Sequence, residues 1–215
     1  MTARLVLATG NQHKLAELTR ILEAAALPVQ LAGLDGFPGA PEVRETGATF
    51  AENALLKARA IAEFTGLPAV ADDSGLCVDA LNGMPGVLSA RWSGGHGDDP
   101  GNTRLVLGQL GDVPAERRGA QFACSAALVL PSGREHVSEA AMHGTIIREP
   151  LGAHGFGYDP IFVPDPAELA GGGLDSGLAG LTTAQLPPGA KDRISHRGKA
   201  LRSLAPVIGA WVLVG

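Results

Sequence analysis

The sequence predicts an α/β fold, and three observations carry that expectation. Short apolar runs alternate with segments of helical periodicity along the chain. A length of 215 residues with 45% hydrophobic content is enough to bury a sizeable core. The 30 glycines and 15 prolines punctuate the chain into many turns. The net charge of −5 argues against a general nucleic-acid or membrane-surface binder, because such partners select clustered basic faces. No apolar run approaches membrane-spanning length, and the run after Arg4 is too short for a signal peptide. Cys77 and Cys124 lie far apart without CxxC or metal-ligand spacing, which fits a reducing, cytoplasmic setting.

Taken in order, Leu5-Val6-Leu7 reads as the first strand. After Asn11, the apolar residues Leu15, Leu18, Leu22 and Ala25 recur at helical steps and predict the first helix. Val29 to Leu34 reads as a second strand. Phe50 to Thr65 reads as a helix with Phe50, Ala54, Ala58 and Ile61 on one face, closed by Gly66 and Pro68. Ala69 to Asp72 is then a short strand that Leu76-Cys-Val78 can continue, and Asn82 to Gly86 is a turn cluster. Asn102 to Leu110 fits a short helix ended by Gly111. Phe122 to Leu130 and Glu135 to Ile146, joined across Ser132-Gly133, predict an antiparallel hairpin. From Pro164 to Gly189 the chain is rich in glycine and proline, and reads as a mobile surface loop. Ser195 is placed as the N-cap of a last helix that Pro206 should kink or end, ahead of the apolar tail Val207 to Val214.

Five groups of residues carry candidate chemistry. In the first, the polar loop Thr9-Gly-Asn-Gln-His-Lys14 lies between a strand and a helix, where free backbone N–H groups and the helix dipole favour an anion. Thr9, Asn11 and Lys14 could converge there on a phosphate, although Thr-Gly-Asn is also ordinary turn chemistry. The second group is Asp72-Asp73-Ser74-Gly75, read as a strand end opening into a glycine turn. Its carboxylates can hold a hard cation or orient water, or can simply cap a loop as an Asx pair. Successive strand residues face opposite sides, so the two aspartates should not share one task.

The third group is Glu42, Glu45, Glu52, Asn53 and Lys57. Lys57 falls on the apolar side of its helix, so it needs an anionic partner or must snorkel to solvent. The fourth is Gly155-Phe-Gly-Tyr-Asp-Pro160, whose Phe156 and Tyr158 are suited to stack on a base in a chain with 4% aromatics. In the fifth, Lys191 to Arg197, His196 and Arg197 can donate to a purine 6-keto oxygen or neutralise phosphate. His96 and Asp98-Asp99 read as a solvated glycine-rich turn.

Thr9-Gly-Asn11 with Lys14, Thr49-Phe-Ala-Glu-Asn53 with Lys57, Ala71-Asp-Asp-Ser-Gly75, Pro85-Gly86 with Ser89-Ala-Arg91, Gly155-Phe-Gly-Tyr-Asp-Pro160 and Ile194-Ser-His-Arg-Gly-Lys199 occur in a telling order. From about residue 4 to about residue 204 the chain resembles the inosine triphosphate pyrophosphatase family. That resemblance implies a long twisted mixed sheet flanked by helices, within a single domain over residues 1–215 that has two lobes around a central cleft. It also implies a homodimer, Mg²⁺ dependence, and hydrolysis of the deaminated purine nucleoside triphosphates ITP, dITP and XTP to monophosphate and pyrophosphate. Carried over by position, Thr9, Gly10, Asn11, Gln12, His13 and Lys14 would bind the triphosphate, and Ser74 and Lys57 would line the phosphate site. Glu45 and Asp73 would hold the metal, with Asp73 also the proton acceptor. Phe156, Gly157, Tyr158, Asp159, Lys191, His196 and Arg197 would hold base and sugar. A pyrophosphatase for other damaged nucleotides and a non-catalytic nucleotide sensor are the alternatives that the same groups allow.

Overall fold

The structure is a computed structural model that describes residues 3–213. In chain order it contains β1 (Ala3–Leu7), α1 (Gln12–Ala24), β2 (Val29–Ala32), α2 (Phe50–Thr65), β3 (Ala69–Val78) and α3 (Asp99–Gln109). These are followed by β4 (Gly119–Val129), β5 (Glu135–Ile146), β6 (Phe162–Pro164), α4 (Pro166–Gly171), α5 (Pro188–Ile194) and α6 (His196–Val212). The strands form one six-stranded sheet in the order β2-β1-β3-β4-β5-β6. It is mixed, as the resemblance implies. β1 runs parallel to β2 and β3, with Leu5 opposite Leu31 and Leu7 opposite Val70, while β5 and β6 are antiparallel. The short turn over 130–134 closes the expected hairpin, where Leu130 N–H donates to the Arg134 carbonyl at 2.9 Å.

By its internal contacts the chain divides into two compact units. Within the described residues, the first comprises 3–73, 124–140 and 197–213, and the second 74–123 and 141–196. In the first unit the sheet is covered on both faces. Leu5 and Leu7 of β1 pack with Leu18 and Leu22 of α1 and with Leu201, Leu204 and Ile208 of α6. Val6, between them, faces the other way onto Ala54, Ala58 and Ile61 of α2. Burial on both faces is why β1 reads as a continuous apolar run instead of an alternating one. The core of the second unit gathers Leu76, Val106, Leu110, Phe122, Met142, Ile146, Tyr158, Phe162 and Leu186.

Several expectations are corrected. Asp72-Asp73-Ser74-Gly75 is not a strand end opening into a turn but the middle of the continuous strand β3. Gly75 serves close approach: a Cβ there would lie 2.9 Å from the Ser89 Cβ, so the glycine lets the Ser89 segment pack against the extended strand. The stretch from Pro164 to Gly189 is not a structureless loop. It contains α4 and a 3-10 turn, and it buries Leu169, Thr182, Thr183, Ala184 and Leu186. Composition misled there because apolar anchors are spaced among the glycines.

Pro206 does not end the last helix, since α6 continues to Val212. Burial of Leu204, Ala205 and Ile208 outweighs one lost backbone hydrogen bond. Ser195 precedes that helix with extended backbone (φ −59°, ψ 140°), as an N-cap position requires. Val214, the end of the expected apolar tail, lies outside the described residues. β2 stops at Ala32 because Leu34 begins a 3-10 turn.

Candidate active site

In the first unit, β3 runs on past its parallel neighbour: the β1–β3 pairing ends at Leu7 and Val70, so Asp72 and Asp73 project beyond the carboxyl end of β1. That is where open α/β sheets gather ligands, because no neighbouring strand there claims the space. The loop leaving β1 at the same level is shaped from within. Thr9 Oγ1 accepts from Asn11 N–H at 3.1 Å. Asn11 caps α1, its Oδ1 accepting from the N–H groups of His13 (2.9 Å) and Lys14 (3.3 Å). The Thr9 hydroxyl and Asn11 amide thus build the loop as well as line it. Gln12 reaches Asp35 at 2.5 Å, and Gly10 and His13 are exposed.

The two aspartates separate as strand alternation predicts. Asp72 accepts from Lys14 Nζ at 2.7 Å and from Arg197 Nε at 3.0 Å, both on Oδ2, and Arg197 Nη1 lies 3.8 Å from Glu17. Burial by itself would raise the Asp72 carboxyl, but the Lys14 and Arg197 cations overrule it and hold the group well below the usual carboxylate range. Asp73 faces a different set. Its Oδ2 accepts from Asn53 Nδ2 at 3.0 Å, and Lys57 Nζ lies 3.7 Å from its Oδ1. The same ammonium donates to Glu45 at 2.8 Å, so Lys57 has the anionic partners its buried side calls for and gathers Glu45 and Asp73 around one point. Ser74 follows, half-buried, at the start of the second unit.

Asn53, like Glu42 and Glu52 of its group, has no role assigned from sequence. It is fully buried, and it couples Asp73 to the chain before α2 by accepting from Gly47 N–H at 2.8 Å. A signal was present: Asn53 and Lys57 are one turn apart on the same helix face. Glu52, of the same group, has a local task. Thr49 caps α2 through Glu52 N–H at 3.1 Å, and the Glu52 carboxylate returns to Ala48 N–H at 2.6 Å.

In the second unit, Phe156 stands 64% exposed on a loop whose Gly155 and Gly157 have φ of +80° and +59°. Tyr158 does not share its exposure, contrary to the sequence reading. It is 4% exposed within the core, and its hydroxyl donates to the Ser89 carbonyl at 2.8 Å. Burial raises its phenol far above the ordinary range, so it stays neutral. Asp159 is likewise interior. It accepts from Phe156 N–H at 2.9 Å, from Thr183 Oγ1 at 2.8 Å and from the Lys191 ammonium, which sits 5.0 Å from the centre of the Phe156 ring. His196 stacks on Phe122, with centroids 5.1 Å apart and planes at 13°. His196 and Arg197, neighbours in sequence, therefore belong to different clusters, His196 with Phe122 and Arg197 with Asp72 and Lys14.

His96 and Asp98 are exposed as expected, but both aspartates carry structural tasks. Asp98 caps α3 by accepting from Gly101 N–H at 3.0 Å, and Asp99 accepts from Gly157 N–H at 2.7 Å. Among the described residues no group of three or more His, Cys, Asp and Glu side chains stands ready to hold a metal, and no helix is long and apolar enough to cross a membrane.

Residues 5–207 match the model of the Ham1 family. The chain belongs to the Ham1 family. A relative from Nocardia farcinica, named dITP/XTP pyrophosphatase, is 59% identical over 97% of this chain and 96% of its own length. One of the same name from Streptomyces coelicolor is 55% identical over 95% of this chain and 96% of its own. Among solved Ham1 structures, that of a HAM1 protein from Coxiella burnetii superposes with a TM-score of 0.84 at 40% identity, covering 96% of this chain and 98% of that one. A nucleoside-triphosphatase, dITP/XTP pyrophosphatase, from Mycobacterium abscessus gives 0.75 at 55% identity, covering 94% and 99%. Ham1 membership extends over both units, and so over both clusters.

Proposed function

We propose that this protein hydrolyses deaminated purine nucleoside triphosphates, ITP, dITP and XTP, to the nucleoside monophosphate and pyrophosphate, clearing them from the nucleotide pool. The observation that carries the reading is the carboxylate pair Glu45 and Asp73 gathered on Lys57 at the carboxyl end of β1, with Lys14 and the α1 N-terminus at the same end. The names of the Nocardia and Streptomyces relatives agree with it.

The triphosphate is assigned to Thr9–Lys14, Lys57 and Ser74. The Lys14 ammonium and the positive end of the α1 dipole, where Asn11 already caps the His13 and Lys14 N–H groups, offset charge on the leaving pyrophosphate. Asp73, its second oxygen fixed by Asn53, orients the attacking water at the α-phosphorus and takes its proton. Glu45 and Asp73 fit Mg²⁺, which takes one or two carboxylates and completes its shell with water and substrate phosphates. When bound, the ion would supply Lewis-acid stabilisation of phosphate oxygens. Base and sugar are assigned to Phe156, Gly157, Lys191, His196 and Arg197, with Tyr158 and Asp159 supporting them from the interior. His196 and Arg197 favour a 6-keto acceptor, since the adenine amino group would leave a donor unpaired. The resemblance extends the reading to a homodimer in the cytoplasm.

A pyrophosphate-release assay over ITP, dITP, XTP, GTP and ATP, with and without Mg²⁺, tests the reading. The expected result is Mg²⁺-dependent release of intact pyrophosphate, far faster from the first three than from GTP or ATP. Nucleoside diphosphate with orthophosphate as primary products would overturn it.

A further inference from the structure

Among the described residues Phe156 is the most exposed of the large apolar side chains at the surface, yet its backbone is fixed on both sides. On one side Phe156 N–H donates to Asp159. On the other, Gly157 is gripped at both of its polar groups from α3: its N–H donates to Asp99 Oδ2 at 2.7 Å, and its carbonyl accepts from Thr103 Oγ1 at 3.3 Å. Asp99 and Thr103 are one helical turn apart and so share a face. Their helix is itself fixed at its start, where Asp98 caps it and the buried Asn102 accepts from Ser93 N–H at 2.7 Å. A glycine with positive φ costs more backbone entropy to order than any other residue, so an exposed aromatic flanked by two of them does not hold its place without such contacts.

We propose that Asp99, with Thr103, is a positioning residue for Phe156: the first turn of α3 holds the aromatic ring ready to receive the substrate base. The proposal rests on the reading of Phe156 as a stacking surface. The grip acts on the peptide and on nothing that distinguishes one base from another, so it sets affinity for purines in general and leaves their discrimination alone. Asp99 lies in the first turn of α3, where the helix dipole favours its charge and a carboxylate makes a charge-assisted bond to the Gly157 N–H.

The test compares Asp99→Ala, Asp99→Asn and Phe156→Ala, alone and with Asp99→Ala combined with Phe156→Ala. Deuterium exchange over 155–158 is measured in the free enzyme, and KM and kcat for ITP and ATP by pyrophosphate release. Asp99→Ala is expected to speed exchange in the loop. It should raise KM for both nucleotides by a similar factor, roughly tenfold, with kcat within about twofold of wild type. Asp99→Asn, whose amide oxygen still accepts from the Gly157 N–H, should restore both. In the Phe156→Ala background the Asp99→Ala change should add nothing to KM. Unchanged loop exchange, or a KM penalty that persists in full without Phe156, would overturn the proposal. Faster exchange in Asp99→Ala with KM unmoved in both Asp99→Ala and Phe156→Ala would uphold the grip and reject Phe156 as a stacking surface.

Discussion

The two units solve different positioning problems with different chemistry. In the first, all the functional groups but Glu45 sit on regular elements, the strand β3 and the helices α1, α2 and α6, and the groups are held by ion pairs: Lys14 and Arg197 on Asp72, Lys57 on Glu45 and Asp73. In the second, the exposed ring of Phe156 sits on a glycine loop and is held through its backbone by Asp99, Thr103 and Asp159. Charged groups in a partly buried setting need counter-ions and hydrogen bonds to tolerate desolvation, and strands and helices supply fixed places for them. An aromatic face needs only a set orientation and open space, which a braced loop provides. The difference teaches where each unit is fragile. The first fails through loss of a charge, the second through loss of order.

The largest effect should come from charge. Asp73→Asn keeps shape and the Asn53 contact but loses the proton acceptor. Turnover should drop by roughly 10²- to 10⁴-fold, with thermal unfolding close to wild type. Pyrophosphate release within a few-fold of wild type would remove Asp73 from the chemistry and dissolve the contrast.

Next is Asp72, the counter-ion of two cations. Its carboxyl is held below its ordinary value, so it binds its proton more weakly folded than unfolded. It therefore contributes stability that is fully present above the ordinary value near about 3.9 and is lost as pH falls below it. Asp72→Asn should cost on the order of 3 kcal/mol at neutral pH, because Lys14 and Arg197 lose their shared anion. Urea midpoints should also fall less steeply than in wild type as pH drops below about 5, where the loss begins before continuing down through the depressed folded-state value. Parallel acid limbs for the two proteins would show that Asp72 does not carry this charge.

The smallest and most discriminating comparison sets Phe156→Ala against Arg197→Ala. Loss of the ring should weaken ITP and ATP alike, by roughly 1–3 kcal/mol in kcat/KM, since every purine offers a π-face. Arg197→Ala should penalise ITP far more than ATP and narrow the preference. Equal losses for both nucleotides in Arg197→Ala would instead make it a phosphate ligand, in keeping with its place beside Lys14 on Asp72.

Local chemistry made much of this legible in the sequence. α2 runs over Phe50–Thr65 as its periodicity and Gly66 stop require, and the β4–β5 hairpin follows from two apolar runs about Ser132-Gly133. Strand alternation separated Asp72 from Asp73, and the apolar-side placement of Lys57 called for the acid it finds in Glu45. These rest on periods of two and 3.6 residues and on caps, which are properties of neighbouring residues.

What only tertiary structure decided depends on residues far apart in the chain. Gly75 signals a turn by its type, but the approach of Ser89 keeps β3 extended through it. Tyr158 belongs by composition to an exposed loop, but the Ser89 carbonyl and the core of the second unit take it in. Pro206 should kink or end a helix, and of the two the ending does not happen, because the packing of Leu204 and Ile208 carries α6 past it. Asn53, Asp99 and Thr103 gain their tasks from partners 20 to 58 residues away. A local signal proposes a conformation worth about 1 to 3 kcal/mol. Long-range burial and hydrogen bonding, summed over many contacts, are larger and have the final say.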